Sequence, residues 1–415
     1  MGRGVEIDER RDAKLSSKEK ILEAVEEISP RLIELNRWMY ENPEEGFLEH
    51  GAAKRLADAL EEAGFEVERG AAGMETAFVG RFGPGGARPA IALVAEYDAL
   101  PGIGHACGHN IIGASSVGAA IAFVNSWPDF PGSLYVLGAP AEEQSSSVGD
   151  CGGKVYMVDR GLLEDIDAAM MFHPSNHDSA FSHSLAVQPL LMTFSGKTAQ
   201  PAGSAHLGIN AFEAAVLAYT NINAIRQYLE PNHYVHGMIE ESGPAPNIMS
   251  PRSTVKLHVR APTDDMLEAM LDKVRRCGEA ASLVTGAGVE FDYYMPRYKE
   301  VVNNPTLTAL LEENLRELGR DPEPMPPRPR ASTDMGNITY EVPGFHAYIS
   351  LGPEEEVGNT HSPDFAPSTV TAAGEKALLD ATRALAMTTL DLFSDPSHLE
   401  RAKEEFEDWR SGRGG

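Results

Sequence analysis

Cys107 and His109 stand one residue apart in the stretch 93–113, LVAEYDALPGIGHACGHNIIG. A thiolate, an imidazole and a nearby carboxylate are ligands that zinc and manganese-like ions accept. Four further positions carry suitable chemistry: the pair Glu142 and Glu143, His173 in AMMFHP, Asp334 in ASTDMGN, and His361 in GNTHSPDFA. Taken singly each has an ordinary explanation. A lone buried cysteine is commonly just a small packed residue, adjacent glutamates are usually a solvated pair, and an isolated histidine is more often structural. Their shared placement favours a metal site over those readings.

The apolar run 90–95 is short enough for a buried strand, and Glu96 and Asp98 stand at its carboxyl end. Pro101 and Gly102 then turn the chain, and Gly104 and Gly108 let the loop bend its ligands towards one point. Glu142 and Glu143 follow a second apolar run, 134–139, and His173 ends a third, 168–172. Open α/β sheets place ligands beyond the carboxyl ends of their strands. One of the two glutamates can bind metal there while the other acts as a base.

The remaining segments predict how those strands are framed. Ser16 and Glu19 make a capping box for a helix, and Pro30 is expected to begin a second set of helical turns. A helix follows over 53–64, then strands over 65–67 and 76–82, and a packed Gly/Ala-rich helix over 111–124. A helix over 154–163 completes an α/β pattern. Between about 187 and 296 the order is strand, helix, strand, strand, helix, strand (190–195, 211–228, 234–240, 254–261, 265–285, 289–294), a ferredoxin-like sequence of elements. This predicts a small α+β domain inserted in a larger α/β domain of residues 16–186 and 297–395. Afterwards come a helix over 305–318, a proline-rich loop DPEPMPPRPR, a strand over 344–350 and a helix over 369–392. The charged tail after Ser394 is expected to fray.

Composition limits the function classes. The 415 residues exceed one ordinary core, which favours two domains. The net charge of −27 disfavours nucleic acid and anionic membranes, both of which attract clustered Lys and Arg. Three cysteines, an odd number, argue against a disulfide framework and for a reducing, cytoplasmic setting. Neither a signal peptide nor a membrane-spanning apolar run is expected.

The motifs EYDALPGIGHACGHN, GAPAEE, MMFHP, FSGKTA, ASTDMGN and THSPDFA, in that order, resemble the metal-dependent peptidase and aminoacylase family. The family includes carboxypeptidase G-type glutamate hydrolases and indole-acetyl-amino-acid hydrolases. The nearest branch is that of p-aminobenzoyl-glutamate hydrolase and β-alanyl-dipeptide hydrolases, because Asn110 follows CGH where other members carry Asp. The resemblance spans residues 29–392. It implies a mixed-sheet catalytic domain and an inserted domain that mediates dimerisation and closes over the site as a lid. It implies two divalent ions, Zn or Mn, held by Cys107, His109, Glu143, His173 and His361, with the thiolate able to bridge them. Glu142 matches the general base acting on metal-activated water, and Asp98 matches the acid that orients a ligand. Asn247 and Arg260 match substrate-contacting positions, Arg being suited to a carboxylate.

One position departs from the pattern. The family motif GK-x-A-H-A places a histidine where it helps to stabilise an oxyanion, whereas this chain reads GKTAQPA with Gln200 there. Loss of an oxyanion donor can cost roughly 2.7–4 kcal/mol of transition-state stabilisation. Gln200 keeps an N–H donor but cannot carry positive charge. Three explanations stand: an introduced substitution, a natural variant still cleaving amides, or a site for a reaction without a carbonyl oxyanion. The expected function is hydrolysis of a small N-acyl-amino-acid or dipeptide-like substrate by a cytoplasmic homodimer. The alternatives are hydrolytic deamination of an aromatic amine such as a nitroanthranilate, and a catalytically weakened binding protein. Glu96 sits where more distant relatives carry a histidine ligand, and is expected near the ions without binding them. Cys151 and Cys277 are expected to be packed thiols, and Met170 and Met171 core residues.

Overall fold

The computed structural model describes residues 2–144, 147, 148, 150–329 and 331–412, and of residues 2–16 the backbone alone. Ten strands occur among the described residues: β1 (Glu66–Arg69), β2 (Phe78–Phe82), β3 (Ala90–Ala95), β4 (Ser133–Gly138), β5 (Ala168–Ser175), β6 (Ala186–Ser195), β7 (Tyr234–Ile239), β8 (Arg252–Ala261), β9 (Gly288–Asp292) and β10 (Gly344–Ser350). The chain divides into two compact units. One comprises residues 1–182, 301–327 and 337–415, the other 183–300 and 328–336.

The first unit is built on a mixed sheet in the order β1-β2-β4-β3-β5-β10. β3 pairs in parallel with β4 and β5, and β5 with β10, while β2 runs antiparallel to both β1 and β4. Every residue of β3 and β4 is buried, which accounts for their continuous apolar runs. The helix His109–Ser126 is buried from His109 to Val124 and packs between the helices Gly2–Glu41 and Ala372–Ser394. Its small residues permit that approach. A Cβ on Gly118 would lie 2.6 Å from Leu32 Cδ1.

The second unit is a four-stranded antiparallel sheet ordered β7-β8-β6-β9. Its helices, Ala211–Arg226 and Asp264–Thr285, pack on one face of the sheet. Period-two alternation sends Val255, Leu257, Val259 and Ala261 of β8 into the core beneath them, leaving Lys256, His258 and Arg260 on the other face. Thr263 starts the second helix by accepting the Met266 N–H. The segment 328–336 joins this unit partly through the Leu185 N–H, which donates to Ala331 O at 3.0 Å.

Three local expectations need correction. The first helix does not begin at Ser16 but runs through it, from Gly2 to Glu41. Pro30 does not open a new set of turns; it lies inside that helix. Proline leaves the carbonyl four residues back without its N–H donor, and the Ser29 hydroxyl donates to that Glu26 oxygen at 2.8 Å. The charged tail does not fray. It forms the helix Pro396–Gly412, burying Leu399, Ala402 and Phe406. Glu405 accepts bonds from the backbone and hydroxyl of Thr306, and Asn304 donates to Ala402 O. Among the described residues no helix is long and apolar enough to cross a membrane.

Candidate metal centre

β4, β3 and β5 are parallel neighbours, so their carboxyl ends point the same way and gather the chemistry there. β3 leads into Glu96 and Asp98, β4 leads through Pro140 into Glu142 and Glu143, and His173 lies near the end of β5. Between Cys107 and His109 the chain turns at Gly108, where φ is +80°, and a Cβ there would lie 2.6 Å from Pro174 Cγ. Only glycine suits both demands. His361 arrives from a distant loop in the left-handed region, φ 66°, with its N–H bonded to Ala106 O at 2.8 Å. A non-glycine residue held in that region marks a position that the surrounding structure enforces.

The side chains converge on the sulfur. Cys107 Sγ is 3.3 Å from His173 Nε2 and 3.2 Å from His361 Nε2. Glu143 Oε1 is 3.3 Å from His361 Nε2 and 3.9 Å from His109 Nε2. Three groups have ligand atoms within 4.8 Å of one another: Cys107–His109–His173, Cys107–Glu143–His361 and His109–Glu142–Glu143. The first two share the thiol of Cys107.

The donor set suits a divalent cation on three counts. His109 Nδ1 lies 2.9 Å from Asp98 Oδ1, and His173 Nδ1 lies 2.7 Å from Pro174 O. Each acceptor fixes a proton on Nδ1 and turns the Nε2 lone pair towards the thiol, the arrangement of a metal-ligating histidine. His109 Nε2 is itself buried with no hydrogen-bond partner. Thiol, imidazole and carboxylate together are ligands for zinc or a similar ion.

Burial and the charge of Glu143 push the Cys107 thiol well above its usual value. Burial opposes charge on His109, but Asp98 and Cys107 together outweigh it and raise the imidazole well above its usual value. Burial also opposes ionisation of Asp98, yet His109 holds it below the usual carboxylate range. Burial and the neighbouring His109 lower His173 to about 4, keeping it neutral and available as a ligand. Thiolate ligation releases a proton, so a bound cation would reverse the balance at Cys107.

Two buried groups beside the centre carry no signal in the sequence. Lys154 is fully buried and lies 2.6 Å from Glu96 Oε1, while Glu96 Oε2 is 3.6 Å from His109 Nε2. The glycines before Lys154 bring it there: a Cβ on Gly153 would come within 2.1 Å of Pro140 O. His346 of β10 is 2 % exposed, with its ring 5.4 Å from that of His173. Burial and His173 lower it to about 3. Spacing marks neither residue, since Lys154 opens a short helix and His346 interrupts an apolar strand.

The other sequence candidates lie in the second unit. Gln200 is exposed and precedes the short helix Pro201–Ser204, and Asn247 is exposed in the loop before β8. Arg260 donates from Nη1 to Ser332 Oγ at 2.8 Å. Asp334 is buried and belongs to none of the three ligand groups. Cys151 and Cys277 are buried free thiols, and Met170 and Met171 are core residues.

Comparison with known proteins gives a consistent result. Residues 92–388 match the sequence family described as Peptidase family M20/M25/M40. The chain is 34% identical over 409 residues to the Xaa-Arg dipeptidase of Mus musculus, covering 94% of this chain and 92% of that protein. It is 28% identical to one of the subunits of p-aminobenzoyl-glutamate hydrolase from Escherichia coli K12, covering 92% and 93%. A solved structure of a dinuclear metal-binding peptidase from Bacillus subtilis shares its fold, with a TM-score of 0.66, 21% identity and coverage of 89% and 99%.

Proposed function

Because this chain belongs to Peptidase family M20/M25/M40 and is thereby a metal-dependent hydrolase, we propose that it cleaves the amide bond of a small dipeptide or N-acyl-amino acid. A dipeptide with a basic carboxyl-terminal residue is the first candidate, given the Xaa-Arg dipeptidase of mouse. The observation that carries the reading is the position of Cys107 Sγ, 3.3 Å from His173 Nε2 and 3.2 Å from His361 Nε2. Cys107, His109, Glu143, His173 and His361 would hold about two ions, zinc or manganese. When bound, such ions supply Lewis acidity, which polarises the scissile carbonyl and acidifies water.

The chain's own residues do the remaining work. Glu142 takes a proton from the attacking water and returns it to the departing amine. Asp98 fixes the His109 ring and, by accepting the Glu143 N–H at 3.0 Å, the backbone beside the base. In this reading Gln200, Asn247 and Arg260 contact the substrate, with the planar guanidinium of Arg260 suited to its carboxylate.

The same proposal makes the second unit a lid and the surface through which a homodimer forms. Support comes from its exposed apolar groups. The helix Asp264–Thr285 exposes Met266, Leu283 and Val284, and edge strand β7 exposes Tyr234 and Met238. A cytoplasmic setting fits three free cysteines. The test is a panel of dipeptides and acyl-amino acids offered to protein loaded with zinc or manganese. Turnover of at least one, lost on Glu142→Ala with bound metal retained, supports the reading. Silence across the panel overturns it.

A further inference from the structure

Glu49 lies outside the ligand set and far from it in sequence, yet it is 0 % exposed. Its Oε1 accepts the N–H of Ala141 at 2.9 Å. Ala141 immediately precedes Glu142 and takes a left-handed backbone conformation, φ 55°. A residue with a Cβ resists that conformation and keeps it only where its surroundings impose it. Here both sides of Ala141 are held: Glu49 takes its N–H, and the Gly152 N–H donates to its carbonyl at 2.6 Å. Two residues on, the Glu143 N–H is taken by Asp98 Oδ2 at 3.0 Å. Two carboxyl groups therefore grip the amides on either side of Glu142.

The segment carrying Glu49 also reaches the other loop of the centre. Glu44 O accepts the Ala99 N–H at 2.8 Å, next to Asp98, and Glu45 Oε2 accepts the Ser147 N–H at 3.0 Å. The short connection between the first two helices thus binds both ligand-bearing loops. Glu49 is costly as a purely structural choice. Its carboxyl group is wholly removed from solvent, and burying a polar group away from water is unfavourable unless its hydrogen bonds are replaced.

We propose that Glu49 is a positioning residue for the general base, holding Ala141 in its left-handed turn so that Glu142 faces the centre. The inference rests on the hydrolase reading given above. Reach rather than charge decides the role, so glutamine, of equal length and also an acceptor, should substitute. Aspartate, one methylene shorter, should not. Burial and the charge of Asp98 raise the Glu49 carboxyl to about 8, so the neutral amide also resembles its state near neutrality.

The experiment compares metal-loaded wild type with Glu49→Gln, Glu49→Asp and Glu49→Leu. It reads kcat, KM, bound metal and amide hydrogen exchange at Ala141. Glu49→Gln should keep kcat within a few-fold and Ala141 protected. Glu49→Asp and Glu49→Leu should lose about 100-fold in kcat, as small misplacements of catalytic groups do, with KM and metal content near wild type and faster exchange at Ala141. Wild-type kcat and exchange in Glu49→Asp would overturn the proposal, as would equal losses in Glu49→Gln and Glu49→Asp. If wild type turns over none of the panel, the hydrolase reading fails, while exchange at Ala141 still decides whether Glu49 holds the turn.

Discussion

Asp98 and His109 are joined by a 2.9 Å contact between Oδ1 and Nδ1, both side chains being fully buried. The contact fixes which ring nitrogen carries the proton and leaves Nε2 facing Cys107 and Glu143. The other Asp98 oxygen holds the Glu143 backbone. One carboxylate thereby sets the direction of one candidate ligand and the backbone position of another.

Replacing Asp98 by alanine should therefore weaken metal binding. Partners that orient ligating histidines typically contribute 10–100-fold in affinity or activity, and Asp98→Ala is expected to lose about that much affinity. Chelator competition measures it. Unchanged affinity would show that His109 needs no orienting partner.

Gln200 bears on the identity of the reaction. If the site cleaves amides with a weakened oxyanion donor, Gln200→His should raise amide hydrolysis by roughly tenfold, less than the roughly 100–1,000-fold of a whole donor because Gln200 keeps an N–H. Steady-state kinetics on the best dipeptide measures the change. Absence of a gain, together with ammonia release from aminoaromatic compounds, would favour hydrolytic deamination.

Glu49 predicts a pH dependence of stability in the metal-free protein. Burial and the charge of Asp98 raise its carboxyl from 4.5 to about 8. The folded state then holds a proton that the unfolded chain has released. The stabilising contribution is complete below about pH 4.5 and is lost as pH rises towards about 8. Glu49→Gln should flatten that decline, as read by urea denaturation across the interval. An identical slope in wild type and variant would contradict the assignment.

Much of the centre was legible because its chemistry lies at strand ends. Runs of apolar residues locate β3, β4 and β5, and parallel pairing of neighbours then forces Asp98, Glu142, Glu143 and His173 to one edge. His361 was legible only through the family motif, since its backbone enters from a loop 254 residues beyond Cys107. Lys154, His346 and Glu49 were not legible as parts of the centre. Their burial is decided by tertiary packing, and a charged or imidazole side chain in a helix start or strand has no pattern announcing it. The last helix was missed for a similar reason. Its sequence is strongly charged, with only three buried apolar positions, Leu399, Ala402 and Phe406, and its polar ties to Asn304, Thr306 and Asp167 are tertiary contacts that no sequence pattern announces.

That helix supplies a stability test. Phe406 is buried within the first unit, its ring beside that of Trp409, and Phe406→Ala should cost about 3 kcal/mol by deleting a packed aromatic ring. Chemical denaturation measures the loss. A change within about 0.5 kcal/mol, as expected for exposed surface positions, would return the tail to a frayed state.

The most direct test of the central claim is the metal stoichiometry of the protein measured alongside its turnover of a dipeptide. The account predicts about two bound divalent ions per chain, loss of turnover on their removal, and its return on adding zinc or manganese. Cys107→Ala should lower the occupancy, since both ligand groups containing Cys107 lose their shared sulfur. Full turnover by the metal-stripped protein, or occupancy unaffected by Cys107→Ala, would contradict it.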